Sequence, residues 1–286
     1  MSRISKKFKA IKNTDGKALI TYIMAGDPSM EKTEDLIYAL EEGGADIIEL
    51  GVPFSDPLAD GPVIQRASER ALVSKTTLIK VLNMVSRVRE RSNIPIVLMT
   101  YYNIIFNYDE RSFVKDALRA GVDGVIIPDL PPEEGQLLIE LAKSAGLDTI
   151  FLLAPTSSEK RISLISKKSK GFIYYVSLTG VTGIRTELSA SIAPMMEKIK
   201  RETAKPVAVG FGISDAKQAA EACGFADGIV IGSAIVKIVE ENLDDEAMTA
   251  RVRDFASGIK AAISDGSFNP EKDSKVLGEY LTKKLA

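Results

Sequence analysis

The chain has 286 residues, 45% of them apolar, with 37 Lys and Arg against 39 Asp and Glu. The scattered, nearly balanced charge argues against a nucleic-acid partner, and no apolar run approaches the roughly 18 residues a membrane span needs. A single cysteine and no histidine exclude an internal disulfide, a Ser-His-Asp triad and every His-ligated metal site.

The N-terminal segment MSRISKKFKAIKN has no long apolar core, so it is not expected to act as a secretory signal. With one cysteine, the chain suits the cytoplasm. Residues 3–12 are expected to form an extra helix able to plug the floor of a barrel. Eight short apolar runs follow, at 18–26, 45–52, 94–102, 124–130, 149–155, 172–177, 206–213 and 228–235. Most are rich in Val, Ile, Leu and Tyr and most end in Gly, Pro, Ser or Asp. They read as strands buried on both faces, the mark of a parallel sheet. Between them, apolar spacing predicts helices over 31–42, 76–90, 133–145, 187–201, 215–223 and 246–263. In 76–90 that spacing joins Ile79, Leu82 and Val85; in 133–145, Leu137, Leu138 and Leu141. Eight β-α units in one chain predict an α/β fold of the (β/α)8 TIM-barrel type, spanning 1–264 as a single domain. A doubly wound sheet is the alternative, but the runs show no switch point. The one longer insertion lies at 53–76. Residues 265–286 form a charged C-terminal extension.

The stretch Glu49-Leu50-Gly51-Val52-Pro53, continued as FSDPLADGP to Pro62, concentrates the chemistry. Glu49 stands inside an apolar strand, where lost hydration raises a carboxyl pKa toward neutrality. Asp60, in the loop beyond, should be wetter and stay ionised. Two acids in unequal environments are an acid/base arrangement; alternatively Glu49 is a paired strand charge and Asp60 a helix cap. Asp27 and Asp129, also at strand ends, suit capping. No run carries an interior Lys or Arg, so a Schiff-base mechanism is disfavoured. Tyr174 and Tyr175 are adjacent, so only one can point inward. Glycine-bearing turns at 180–183, 210–214 and 232–234 follow the last three runs, where backbone amides can cradle a phosphate. The polar loop 177–189, with Thr182 and Arg185, suits a lid that excludes water.

The segments ELGVPFSDPLADGPVIQ, IPDLPPEE, YYVSLTGVTG, VGFGIS and GSAIVK together resemble the tryptophan synthase alpha chain family. The resemblance implies a (β/α)8 lyase that cleaves indole-3-glycerol phosphate to indole and glyceraldehyde 3-phosphate in tryptophan biosynthesis. It implies a partner, the pyridoxal-phosphate beta chain, in an alpha2beta2 tetramer, with the loop 53–60 facing that partner. By position, Glu49 matches the family's general acid/base, Asp60 the carboxylate beside the indole nitrogen, and Tyr174 its active-site tyrosine. Tyr101 falls in the pocket wall. Thr182 belongs to the closing loop, and Gly183, Phe211, Gly212, Gly232 and Ser233 belong to the substrate and phosphate positions. The implied step is a retro-aldol cleavage in which the indole ring is its own electron sink, so no cofactor is required. Two other readings are a non-catalytic subunit that activates a beta partner and another phosphosugar barrel isomerase.

Overall fold

The computed structural model describes residues 1–177, 187–210 and 212–264. The chain begins with α1 (Arg3–Lys12), β1 (Ala18–Met24), α2 (Met30–Glu42), β2 (Ile47–Gly51), α3 (Pro62–Val73) and α4 (Leu78–Val88). Next come β3 (Ile96–Met99), α5 (Tyr102–Tyr108), α6 (Glu110–Ala120), β4 (Gly124–Ile126), α7 (Gln136–Ala145) and β5 (Asp148–Ile150). The rest is β6 (Leu152–Leu153), α8 (Glu159–Lys168), β7 (Ile173–Val176), α9 (Glu187–Glu202), β8 (Val207–Gly210), α10 (Ala216–Cys223), β9 (Gly228–Ile231), α11 (Ser233–Glu240) and α12 (Met248–Ser264).

All strand pairs are parallel, in the order β5-β4-β3-β2-β1-β9-β8-β7-β6. The two ends of that order are halves of one run, broken at Phe151, whose N–H turns aside to Ser169 Oγ at 3.2 Å. The ring therefore closes through residues 148–153, and the nine strands make the eight staves of a (β/α)8 barrel.

Alternation along each strand divides the core. Ile20, Ile47, Val97, Ile126 and Ile150 point inward and form the barrel filling, while Leu19, Ile48, Leu98 and Val125 face the helices. Helix α1 closes the floor. Ile4 and Phe8 enter the inner cluster, and Phe8 meets Phe172 at 5.7 Å between ring centroids. Charges pin it there: Arg3 pairs with Asp123 at 3.0 Å and Lys7 with Asp46 at 3.8 Å, both acids lying just before a strand. With the N-terminal ends of the strands plugged, the open mouth is at their C-terminal ends.

Several helices were not marked by apolar spacing. The insertion 53–76 contains α3, whose inner face is mostly small: Ile64, Ala67, Ser68 and Ala71. Such a face yields little periodic signal. Helices α5, α6, α8 and α11 were missed too; α8 buries only Ile162, Ile165 and Ser166, and the run 228–235 ends as a strand at Ile231, with α11 opening at Ser233. The segment 76–90 shortens to α4 because Thr77 is its N-cap, accepting from Lys80 N. Its buried face runs through Leu78, Val81, Leu82 and Val85, and Ile79 is exposed; Leu137 on α7 is exposed likewise. Among the described residues no helix is long and apolar enough to cross a membrane. The extension 265–286 lies outside the described residues, as does most of the loop 177–189.

Candidate active site

Glu49 is the central residue of β2, in register with Tyr22 on β1 and Val97 on β3. Val97 belongs to the barrel filling, so Glu49 shares its inward face. The side chain is only 2% exposed, and Oε2 has no hydrogen-bond partner among the described residues. It lines a cavity of about 150 Å³ in the barrel mouth, together with Asp60, Tyr22, Tyr174, Gly212 and Gly232. Burial, reinforced by the negative charge of Asp60, pushes the Glu49 carboxyl up to about 8. A buried acceptor without a partner is costly, and the cost is tolerable here because the carboxyl stays protonated at neutral pH.

Asp60 reaches the same cavity from the loop between β2 and α3. Several bonds fix that loop. Asp60 N donates to Pro57 O at 3.0 Å, and Gln65 Nε2 donates to Asp60 O at 2.9 Å. Ser68 Oγ accepts from Phe54 N and donates to Phe54 O, each at 3.0 Å. Tyr101 braces the loop from behind. Its ring stacks on Phe54 at 5.1 Å, and its hydroxyl accepts from Ala59 N at 3.0 Å. Asp60 is half-buried, wetter than Glu49, yet burial still lifts its carboxyl to about 6. A hydrogen bond from Tyr101 pulls it part of the way back. Its environment is thus less watery than the loop position suggested. Tyr101, expected in the pocket wall, stands directly behind it: it is not among the described residues that line this cavity, and it supports Asp60.

Of the two adjacent tyrosines, Tyr174 faces the cavity and Tyr175 is buried in the outer core. Tyr174 lies over Gly210, where an added Cβ would come within 2.7 Å of its Cζ. The arrangement recurs across the barrel. Tyr22 lies over Gly51, where a Cβ would come within 2.8 Å of its Cζ. In both cases the glycine sits two residues beyond the tyrosine's register partner (Ala208 for Tyr174, Glu49 for Tyr22). Each bare strand position seats a phenol of the neighbouring strand, and any side chain there would evict it. Tyr22 is a polar cavity residue that the sequence reading missed. The phenol lies among Asp60, Glu49, Tyr101 and Tyr174, and burial first, then those groups, raises it well above its ordinary value. Nothing in ALITYIMAG separates it from a core aromatic; only strand register does.

At the other end of the cavity, Gly232 and Ser233 open α11, and Gly212 opens the approach to α10. Gly212 adopts φ +78°, which disfavours any other residue. The first N–H groups of a helix lack intrahelical acceptors and carry the positive end of the dipole. No Lys or Arg lines the cavity among the described residues, so an anion there would be held by backbone amides. Thr182, Gly183 and Phe211 lie outside the described residues. Asp129 accepts from Tyr102 N at 2.9 Å, capping α5 rather than the helix after its own strand. Asp27 does not cap α2, since Ser29 does; it is buried against Arg70.

The sequence profile of the tryptophan synthase alpha chain family matches residues 8–264. The chain belongs to that family. A tryptophan synthase alpha chain from Geotalea uraniireducens is 52% identical over 92% of this chain and 98% of its own length. The crystal structure of the tryptophan synthase alpha chain from Legionella pneumophila superposes with a TM-score of 0.86 at 39% identity, covering 94% of this chain and all of that one. A tryptophan synthase structure from M. tuberculosis, in its aminoacrylate-bound form, gives 0.82 at 33% identity over 92% of this chain and 100% of that one. As a tryptophan synthase alpha chain, the protein is a carbon–carbon lyase that cleaves indole-3-glycerol phosphate to indole and glyceraldehyde 3-phosphate.

Proposed function

We propose that Glu49 alone moves both protons of this cleavage. Its neutral carboxyl donates a proton to C3 of the indole ring, and the resulting carboxylate accepts the proton of the glycerol hydroxyl next to the ring. The bond between C3 and the side chain then breaks. Its electron pair returns to the ring, the hydroxyl carbon becomes the aldehyde of glyceraldehyde 3-phosphate, and Glu49 is protonated again. Asp60, ionised, takes the ring N–H and stabilises the positive charge that develops at nitrogen, an electrostatic contribution from a preorganised group. Tyr22 and Tyr174 wall the ring. Gly212, Gly232 and Ser233, with Thr182, Gly183 and Phe211, hold the phosphate and fix the distance to Glu49. The supporting observation is the buried, unpartnered Oε2 of Glu49 in a cavity shared with a second carboxylate.

The chemistry is assigned to residues 1–264, with 265–286 as an appendage. The partner is a tryptophan synthase beta chain, in an alpha2beta2 assembly in the cytoplasm. Leu58, 94% exposed on the loop that carries Asp60, offers an apolar contact at the mouth for that chain. One assay separates these roles from the alternatives. With indole-3-glycerol phosphate as substrate, the isolated full chain should release indole, and a beta chain should accelerate the release. Indole formed only when a beta chain is present, and undiminished in Glu49→Gln, would assign this chain a purely activating part.

A further inference from the structure

A chain of four charges crosses the rim of the barrel mouth. Asp27, in the loop after β1, is 3% exposed. Arg70 of α3 grips it with both faces of its fork, Nε to Oδ1 at 2.7 Å and Nη2 to Oδ2 at 2.8 Å. The remaining amino group, Nη1, reaches Glu240 Oε1 on α11 at 2.8 Å. Glu240 in turn receives Arg66 of α3, at 2.7 and 2.8 Å. One guanidinium thus joins three elements. The outer Arg66 pair is half-exposed and contributes little by itself. The inner pair is different, because breaking it strands a buried carboxylate. Burial already holds Asp27 above the usual carboxylate range in spite of Arg70, while its two arginines hold Glu240 down at about 2.

The elements so joined carry the two ends of the site. Helix α3 holds the Asp60 loop at both its ends, through Ser68 to Phe54 and through Gln65 to Asp60 O. Helix α11 begins at Gly232 and Ser233, at the anion end of the cavity, and finishes at Glu240. Between them, Ile64, Ala67 and Ala71 pack on Tyr22, Met24 and Val236. These contacts are apolar and carry little directionality along the helix axis. A bidentate ion pair is directional and fixes position along the helix axis.

We propose that Arg70 is a positioning residue: by clamping Asp27 and Glu240 together it sets the register of α3, and with it Asp60, against the phosphate-holding start of α11. The inference rests on the roles given above to Asp60 and to the start of α11. Arg70 is not among the described residues that line the cavity, so it acts through the elements it joins, and on the proton chemistry through Asp60. Asp60 itself faces Glu49 from β2, Tyr22 from β1 and Tyr101 from the end of β3. If the clamp opens, Asp60 gains water and its carboxyl falls toward the ordinary range.

The test uses the full chain, wild type and Arg70→Met, Arg70→Lys, Glu240→Gln and Arg89→Met, with kcat and KM for indole-3-glycerol phosphate measured across pH. Arg89 pairs with Asp123 at the barrel floor and serves as a stability control away from the mouth. Arg70→Met should lower kcat about 10- to 100-fold, as misplacement by an ångström does, with a smaller change in KM. Its acidic limb should move down by about half a unit or more as Asp60 rehydrates. Arg70→Lys should recover part of the rate, since an ammonium can keep Asp27 but cannot bridge to Glu240, and Glu240→Gln should give a smaller shift in the same direction. Arg89→Met should lower the melting temperature and leave the profile in place. A folded Arg70→Met with unaltered kcat and limb would overturn the proposal, as would an Arg89→Met shift of equal size. Should Arg70→Met not fold, unmoved profiles in both Arg70→Lys and Glu240→Gln overturn it. Asp60→Asn distinguishes the two levels. If that variant keeps the acidic limb, the role of Asp60 is at fault, and the clamp is then judged on the kcat contrast between Arg70→Met and Arg89→Met.

Discussion

Glu49→Gln is expected to abolish indole formation while leaving the chain folded. Loss of a general acid/base costs about 10²- to 10⁴-fold, and in the proposed mechanism one group performs both transfers. The amide is isosteric, so the cavity and the anion end should survive; binding of glycerol phosphate by calorimetry checks this. The same substitution should raise stability. Burial and Asp60 hold the Glu49 carboxyl at about 8 in the folded chain, against the ordinary 4.5 when unfolded. Between those values the folded state holds a proton that the unfolded state has released, so stability falls as pH rises. Glutamine removes this term. The variant's advantage in urea unfolding should therefore be absent below the lower value, grow by up to about 1.4 kcal/mol per pH unit across the window, and level off above it. A variant that is inactive because it is unfolded, or one that turns over normally, contradicts the assignment.

The second large effect concerns Asp60. In the proposed mechanism Asp60 works ionised and Glu49 works protonated, so kcat/KM, which reports the free enzyme, should rise through about pH 6 and fall above about pH 8. The two carboxyls interact, and the limbs belong to the pair. Asp60→Asn keeps the shape and a hydrogen-bond acceptor but removes the charge. It should lower kcat by about 10²- to 10³-fold, the scale of a lost preorganised electrostatic contact, and erase the rising limb. The falling limb should persist, because Glu49 still titrates. Retention of the rising limb would place its origin in another group.

The physical basis of what the sequence disclosed is local. Glu49 stood out because a carboxylate in an apolar run is anomalous, and Asp60 because the loop carrying it has a distinctive pattern of Pro and Asp. The strand alternation that makes one of two adjacent tyrosines point inward is also local, and the structure selects Tyr174. The barrel was legible because buried parallel strands are continuous apolar runs.

What escaped depends on partners distant in sequence. The seat of Tyr22 over Gly51 comes from the register of β1 on β2, which no property of either run encodes alone. Arg70 meets Asp27 across 43 residues and Glu240 across 170, so Asp27 looked like a helix cap. Tyr101 looked like a wall because loop closure, which places it behind Asp60, is a three-dimensional property. Helix α3 was hidden by the small side chains that let it pack close to the mouth.

The most direct test of Glu49 as the proton carrier is to titrate its carboxyl in the ligand-free full chain, by carbon NMR of ¹³C-labelled glutamate, with Glu49→Gln used to assign the resonance. A midpoint near 8 is the expected result. A midpoint near the ordinary 4.5 would mean a hydrated, ionised side chain at neutral pH, unable to protonate the ring.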